Sequence, residues 1–180
     1  MSKSILFDPI AHTYSTNFWT TVGGSPSITS NKLRINTAEI ASKWTFSGTG
    51  SFKVKATVPV APTTSQDKTF GFKSPATGEG FYFNITGSVF KAFMVDADGT
   101  SSNVTITWDG DWTATATVFE LVLKRDSAIV LVDGSELGEF TTNTIKGPMS
   151  LYIDNGNADN LDFDYVMVQG ADDATNIVAA

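Results

Sequence analysis

Two tryptophans that flank an acidic turn are the residues of this chain best suited to hold a ligand. The segment from Trp108 to Trp112 reads Trp-Asp-Gly-Asp-Trp, which places two indole rings beside Asp109 and Asp111. An indole covers an apolar ring face, and carboxylates accept hydrogen bonds from hydroxyl groups. This combination suits a sugar, so we predict that the segment binds glycan. In the alternative interpretation, one or both rings close the end of a hydrophobic core.

A second candidate surface lies on a predicted β-hairpin. Apolar and polar residues alternate on both sides of Thr86-Gly87. A two-residue turn there would place Tyr82 opposite Lys91 and Asn84 opposite Val89. We therefore predict that Tyr82, Asn84 and Lys91 share one face and contribute to ligand binding. The same mixture of aromatic and polar groups would also suit a contact with a neighbouring subunit.

The acidic loop after this hairpin is a candidate metal site. Asp96, Asp98 and Asn103 supply oxygen donors around a glycine, as calcium-binding loops do. The bidentate Glu that completes an EF-hand is missing, and Asp and Asn beside Gly are also the residues that β-turns select. We therefore expect no cofactor, and we keep calcium at these three residues as the alternative.

The remaining titratable residues do not predict a catalytic site. Glu136 and Glu139 are three positions apart, so an extended chain points them to opposite faces. Asp162 and Asp164 share a face, but the sequence around them supplies no Glu partner. The single histidine, His12, lies in a polar segment without a nucleophile motif. We therefore predict that no residue is catalytic and that the protein is not an enzyme.

The elements that must position these residues are strands. Short apolar runs are separated by Gly, Pro, Asn and Asp turn signals at the spacing of an all-β sandwich. Only Ala38 to Ser42 suggests a helical turn. The predicted strands are 27–35, 39–46, 51–58, 68–72, 80–85, 88–95, 103–107, 113–124, 128–132, 149–154 and 161–169.

Composition limits the domain organisation and the partners. With 180 residues, 41% of them hydrophobic and none of them Cys, the chain can build one core without disulfides. We predict one sandwich over residues 1–170 and a tail over 171–180. A net charge of -7 with only 12 Lys and Arg argues against a nucleic-acid partner. No apolar run is long enough for membrane insertion, and Met1 to Ile10 has no signal-peptide core, so we expect synthesis in the cytoplasm.

Two segments carry a family resemblance. The hairpin over 118–134, followed by Pro148–Asn155 and Leu161–Val168, resembles the second half of the concanavalin A-like lectin and glucanase jelly roll. The resemblance implies an antiparallel β-sandwich of two curved sheets with roughly six strands each. It also implies that a strand near the N-terminus, here Ile5 to Asp8, lies beside the last strand. Fold alone does not transfer function.

The resemblance also sets a test for activity. Glucanases of this family carry a Glu-x-Asp-x-x-Glu strand that supplies the acid and the nucleophile, and this chain has no such strand. The Glu-x-Asp metal strand of the lectin branch is not recognisable either. Carried over to this chain, the resemblance implies a sandwich without that catalytic motif.

A second resemblance shapes the functional expectation. An all-β sandwich with a Ser- and Thr-rich, weakly charged surface resembles the decoration, head-fibre and tail components of viruses and phages. We therefore predict a non-enzymatic virion or phage structural protein, acting in decoration or adhesion, with glycan binding as its activity. Its expected location is a virion or extracellular surface, and its expected partners are glycan or a neighbouring structural protein.

Two other functions are compatible with the predicted sandwich. The alternative is a stand-alone, lectin-like carbohydrate-binding module of a cell-surface or polysaccharide-degrading system, and a glycoside hydrolase ranks third. We expect a homo-oligomer or an assembly component. The tail over 171–180 is then either a disordered end or an arm that docks on a neighbour.

Overall fold

Strands make up every regular element that the structure, a computed structural model, describes. It describes residues 4–7, 14, 16, 18–46, 50–57, 67–74, 76–86, 89–107, 116–145, 147–156, 158–170 and 178–179. Sixteen strands in these ranges form two antiparallel sheets. No helix long and apolar enough to cross a membrane occurs within them.

The first sheet, called the back sheet, has eight strands: seven follow the order β13-β12-β11-β6-β15-β4-β3, and β1 also pairs with β15. Its strands are β1 (Ser4–Phe7), β3 (Ser27–Thr29), β4 (Lys32–Ile35), β6 (Gly50–Thr57), β11 (Thr117–Leu123), β12 (Ala128–Val132), β13 (Ser135–Phe140) and β15 (Leu161–Gly170). The pairing of β1 with β15 confirms the arrangement that the family resemblance implied.

The second sheet, called the front sheet, has the order β10-β9-β8-β7-β14-β5-β16, with β2 also paired to β5. Its strands are β2 (Trp19–Gly23), β5 (Ala38–Phe46), β7 (Lys68–Lys73), β8 (Gly80–Thr86), β9 (Val89–Val95), β10 (Ser101–Thr105), β14 (Met149–Asn155) and β16 (Val178–Ala179). The short β16 places part of the C-terminal tail against β5 of the same chain. The all-β sandwich class is confirmed.

One predicted element and the strand count were wrong. The helical turn suggested for Ala38 to Ser42 is part of β5, because Ile40 alternates with Glu39 and Ala41 across a strand that pairs on both sides. Each sheet also has eight strands rather than roughly six. The additional strands are short and lie at the sheet margins. Their apolar patterns are too weak to reveal them in the sequence.

The hairpin of β8 and β9 has a different register from the predicted one. Thr86 pairs with Val89, so Tyr82 lies opposite Phe93 and Asn84 lies opposite Lys91. The predicted register was wrong by two residues. Because side chains alternate with a period of two, this even shift kept every residue on its predicted face.

A cluster of phenylalanine rings joins the two sheets. Phe70 on β7 lies 5.3 Å from Phe83 of the same sheet, measured between ring centroids. It also lies 5.5 Å from Phe119 on β11 and 5.7 Å from Phe163 on β15, both in edge-on geometry. All four rings are fully buried. Phe70 therefore contacts both layers of the sandwich at once.

We expect Phe70→Ala to lower the free energy of unfolding by about 3–5 kcal/mol, because it leaves a cavity between the sheets. Chemical denaturation measures the loss. Phe93→Ala is the matched control, because Phe93 points away from the core and is only partly buried. A Phe70 variant no less stable than the Phe93 variant would contradict this account of the core.

Lys68 is an unusual member of the buried set. Its side chain is 1% exposed, and its Nζ lies 3.7 Å from Asp159 Oδ2, whose own side chain is 43% exposed. Burial lowers the pKa of the Lys68 ammonium, and the charge of Asp159 opposes this effect only in part. The folded state thus carries an incompletely compensated charge.

We expect Lys68→Met to be neutral or to stabilise the protein by up to about 2 kcal/mol at neutral pH, because Asp159 can remain in contact with solvent. A lowered pKa means that the unfolded chain binds more protons, so the wild type gains stability as the pH rises toward the ordinary lysine pKa. The advantage of the variant should therefore shrink in alkaline solution. Thermal unfolding across a pH series measures it, and a Lys68→Met variant that is clearly destabilised at neutral pH would refute it.

Candidate functional site

The outer surface of the front sheet, called the front face, brings together chemically active side chains from five strands. Along β8 and β9, buried core residues alternate with partly exposed residues that point away from the core, whereas on β7 and β14 nearly all residues are buried, including those on the outer side. Because neighbouring strands are paired residue by residue, the outward residues line up in rows that cross the sheet. Two of these rows define the candidate site.

The first row is aromatic. Tyr82 and Phe93 are directly paired and stacked, with ring centroids 5.9 Å apart and an angle of 20° between the planes. In full, the row reads Asn103, Phe93, Tyr82, Gly71, Tyr152 and Ala41 from β10 to β5. It provides flat apolar surfaces on both sides of a position that has no side chain.

Gly71 occupies that position for a steric reason. A Cβ atom there would lie 2.6 Å from the Phe81 carbonyl oxygen and from the Tyr82 Cα atom, and the φ of Gly71 is +154°. Any side chain would therefore collide with the backbone of β8. Glycine therefore allows β7 and β8 to pair closely at this buried position between Tyr82 and Tyr152.

The second row is polar and runs beside the first. From β9 to β5 it contains Lys91, Asn84, Thr69, Asp154 and Glu39. The amide nitrogen of Asn84 donates a hydrogen bond to the Thr69 hydroxyl at 3.2 Å. At the start of β7, the Thr86 hydroxyl donates to a carboxylate oxygen of Asp67. This row offers hydrogen-bonding groups at one end and carboxylates at the other.

The carboxylates of Asp154 and Glu39 form a pair across β14 and β5. The two residues are directly opposite each other in the antiparallel register. Residues in that relation on one face have Cβ atoms about 4.5–5.5 Å apart. The Tyr152 hydroxyl donates a hydrogen bond to Glu39 Oε1 at 2.8 Å. Two partly buried acids are therefore neighbours on the front face, and one of them is held by a phenol.

The environment of this pair makes Asp154 harder to ionise than an ordinary aspartate. Burial raises the pKa of the Asp154 carboxyl, and the neighbouring charge of Glu39 raises it further. Lys73 opposes this shift and Asp67 adds to it. The pKa of the Tyr152 phenol is also raised, first by burial and then by its hydrogen bond to Glu39, so this phenol remains a hydrogen-bond donor.

Lys73 completes this end of the face. Its Nζ lies 4.4 Å from the centroid of the Tyr152 ring, a cation–π contact. Tyr152 is only 6% exposed although it points away from the core. The ring is thus held between Lys73 and Glu39, and it keeps the geometry around the carboxylate pair fixed.

The predicted ligand residues divide into two groups. Tyr82, Asn84 and Lys91 lie together on the front face, across adjacent strands. The other four, Trp108, Asp109, Asp111 and Trp112, lie outside the described residues, as does His12. The assignment of these seven residues to a ligand site stays a prediction.

The candidate calcium residues are placed in a turn and on a strand. Asp96 Oδ1 accepts hydrogen bonds from the backbone nitrogens of Asp98 at 3.0 Å and Thr100 at 2.9 Å. Asn103 lies on β10, at the end of the aromatic row. Across the described ranges, no group of three or more His, Cys, Asp or Glu is arranged to hold a metal ion. Asp96 therefore stabilises its own turn; the expectation of no cofactor, with calcium as its alternative, stays a prediction.

The acids singled out in the sequence lie on the back sheet. Arg34 Nε and Nη2 each donate to Asp162 at 2.7 Å, and Lys32 Nζ lies 3.0 Å from Asp164. Glu136 and Glu139 both pair with outward residues of β12, so they share a face. The prediction of opposite faces was wrong, because a bulge in β13 inserts one extra residue between them.

Sequence reasoning missed the carboxylate pair of the front face. Glu39 and Asp154 lie on strands far apart along the chain, and neither belongs to a recognisable motif. The available signal was the alternation of side chains along each strand. It points Glu39 to the face opposite that of the apolar Ile40, and it points Asp154 to the face opposite that of Ile153. Only the register of β14 against β5 brings the two acids together.

Comparison with solved structures identifies the class of fold. A β-glucanase from Bacillus licheniformis superposes with a TM-score of 0.75 at 15% identity, over 92% of this chain and 97% of the other. The laminarinase catalytic domain of Thermotoga maritima MSB8 gives 0.76 at 11% identity, over 93% and 97%. A Crh5 transglycosylase in complex with NAG gives 0.75 at 11% identity, over 96% and 86%.

These matches show that the chain has a concanavalin A-like jelly-roll fold. No protein-family model matches the sequence. A comparison with curated proteins gives no match either. At such low sequence identity, the structural similarity establishes the fold but not the activity, which depends on the residues of the site.

The comparison overturns the functional expectation drawn from the sequence. The prediction of a non-enzymatic virion or phage structural module was wrong, because the structures that share this fold over more than nine-tenths of the chain are glucanases and a transglycosylase. The prediction that the protein is not an enzyme was wrong for the same reason. It had rested on the absence of a Glu-x-Asp-x-x-Glu strand, which does not exclude acids supplied by two different strands.

The raised pKa of Asp154 has a consequence for stability. A carboxyl whose pKa is higher in the folded state costs stability once the pH rises above its ordinary value, because folding then opposes ionisation. We expect Asp154→Asn, which mimics the neutral acid, to raise the melting temperature at neutral pH by about 2–4 °C. Thermal unfolding at neutral and acid pH measures the change, and the gain should vanish near pH ~3, where both states protonate the wild-type residue.

Asp164→Asn is the matched control, because it removes a half-buried acid that has an attractive partner in Lys32. It should give no gain at neutral pH. Equal stabilisation by both substitutions would mean that the effect comes from overall net charge and not from the environment of Asp154.

Proposed function

We propose that the protein is a carbohydrate-active enzyme that cleaves β-glucan chains on the front face, with Asp154 and Glu39 as its two carboxyl groups. The observation that supports this most strongly is the direct pairing of these acids across β14 and β5, together with the raised pKa of Asp154. Glycosidases need two carboxyl groups whose environments separate their protonation states. The glucanase and laminarinase names of the similar structures support the choice of substrate.

The roles follow from the environment of each acid. Asp154, whose pKa is raised, donates its proton to the glycosidic oxygen as the bond from the anomeric carbon to that oxygen breaks. The Glu39 carboxylate attacks the anomeric carbon and forms a glycosyl ester. Water then attacks the same carbon, gives its proton to the Asp154 carboxylate and releases Glu39. We assign the retaining route because direct cross-strand pairing brings the two carboxyl groups close together, and that route needs a shorter carboxyl separation than the inverting one.

Tyr152 acts as a positioning residue in this scheme. Its hydroxyl donates to Glu39 Oε1 at 2.8 Å and fixes the position of that carboxylate. The cation–π contact with Lys73 fixes the ring from the other side. Both contacts hold the nucleophile toward the open face.

The aromatic row binds the sugar chain. Tyr82 and Phe93 present stacked, partly exposed rings on which a pyranose can stack. Asn84 and Lys91, beside these rings, can donate hydrogen bonds to sugar hydroxyls. The predicted glycan-binding role of Tyr82, Asn84 and Lys91 thus becomes substrate binding.

Hydrolysis of mixed-linkage β-1,3-1,4-glucan and of β-1,3-glucan tests the proposal. We expect reducing ends to be released by the wild type, and we expect Asp154→Asn and Glu39→Gln each to lower kcat at least about 100-fold. Because Asp154 must be protonated to act, kcat should fall as the pH rises through its raised pKa. Added azide should rescue Glu39→Ala by giving a glycosyl azide, and it should leave Glu39→Gln unchanged.

Asp164→Asn is the control variant here too, since Asp164 lies on the back sheet beside Lys32. It should retain wild-type kcat. Binding of β-glucan without release of reducing ends by the wild type would refute the proposal, and so would equal losses in the Asp154 and Asp164 variants.

A further inference from the structure

The carboxylate pair lies at the end of the strand ladder that forms it. Asp154 pairs with Glu39, and the next pair, Asn155 with Ala38, is the last one between β14 and β5. The ladder between β14 and β7 also ends at Asn155. Ladder ends open more readily than ladder centres. A fixed distance between the two acids therefore needs support beyond the backbone hydrogen bonds of these strands.

The side-chain amide of Asn155 provides such support. Asn155 is fully buried, and its Nδ2 donates to the Ile35 carbonyl oxygen at 2.8 Å and to the Asp159 carbonyl oxygen at 2.6 Å. β4 ends at Ile35, and the chain then turns directly into β5, which carries Glu39. One amide thus joins the residue that follows one acid to the turn that leads to the other.

A second amide bonds the same turn from the opposite direction. Asn36 Nδ2 donates to the Ala158 carbonyl oxygen at 2.5 Å and to Asn160 Oδ1 at 2.9 Å. The next residue, Thr37, has a positive φ of 45°. A β-branched residue keeps this backbone conformation only where surrounding contacts hold it. The amides of Asn155 and Asn36, called the amide clamp, are such contacts on the approach to β5.

We infer that Asn155 is a positioning residue that, with the support of Asn36, holds Asp154 and Glu39 at their working separation; this inference rests on the proposed function. Proton donation and nucleophilic attack act on the two sides of one glycosidic bond, so both steps depend on that separation. Without the amide of Asn155, the end of the ladder between β14 and β5 opens and the acids move apart. The stacked rings of β8 and β9 are not bonded to the clamp, so binding of the sugar chain is kept.

Kinetics on β-1,3-glucan tests this role. Asn155→Ala should lower kcat at least about tenfold and change KM by less than about twofold, because a misplaced acid pair slows the chemical step more than it weakens binding. Asn36→Ala removes a more exposed part of the clamp and disturbs folding less. It should lower kcat in the same way by about threefold.

The ionisation of Asp154 gives a second measurement that needs no turnover. Burial and the charge of Glu39 both raise the pKa of Asp154, and both effects weaken when the ladder end opens and the acids separate. Lys73 and Asp67 also act on Asp154, but they belong to the β7 side of the face. The pKa of Asp154 should therefore fall in both variants, and the alkaline limb of kcat should move to lower pH. An NMR titration of carbon-13-labelled aspartate follows this pKa directly.

Asn143→Ala is the matched control. Asn143 Nδ2 also donates to a backbone carbonyl oxygen, that of Lys124 at 2.6 Å, but it does so beside the back sheet. The substitution removes an equivalent bond and lowers stability. It should leave kcat and the pKa of Asp154 unchanged.

The two proposals fail in different ways. If the wild type cleaves β-glucan and both clamp variants keep its kcat and its Asp154 pKa, the positioning role is overturned and the proposed cleavage stands. An equal fall of kcat in Asn143→Ala would overturn the positioning role too, because the loss would then follow from stability alone. An absence of cleavage by the wild type would overturn the proposed function and the catalytic role of the clamp with it.

Discussion

The contact of Phe70 with phenylalanine rings in both sheets is the constraint on which the rest of the structure depends. Phe70 meets Phe83 beside it and Phe119 and Phe163 across the interlayer space. Because these rings must be buried, the orientation of β7 is fixed, and so is that of β8. Side chains on a strand alternate, so burying Phe70 turns Thr69 and Gly71 outward. The front face is thus a direct consequence of how the core packs.

Register converts this orientation into a site. Antiparallel pairing places Asp154 opposite Glu39, and it places Gly71 between Tyr82 and Tyr152. A shift of one residue in any of these strands would move its outward residues into the core. The core therefore specifies the register as strongly as it specifies the fold, and the alignment of chemically active groups follows without any local motif.

The two faces of the sandwich use their charges in different ways. On the back sheet, Arg34 and Lys53 are each joined to a carboxylate on a neighbouring strand, so the charges neutralise each other in pairs. On the front face, Asp154 and Glu39 are neighbours of like charge. A pair of like charges lowers the stability of the folded protein. Functional sites commonly lower stability in this way, and the rest of the fold compensates for the loss.

The sequence by itself determined the all-β class, the hairpin within 118–134 and the side of the strand on which Tyr82, Asn84 and Lys91 lie. These features depend on local alternation and on turn residues, and Asp133 and Gly134 indeed have positive φ angles of 48° and 80°. Alternation could not supply the exact partner of each residue, so the hairpin register was wrong by two and the bulge between Glu136 and Glu139 was missed. Only the tertiary structure brought Glu39 to Asp154, because that contact depends on the pairing of β5 with β14, which is set by burial of the whole core and not by any nearby residue.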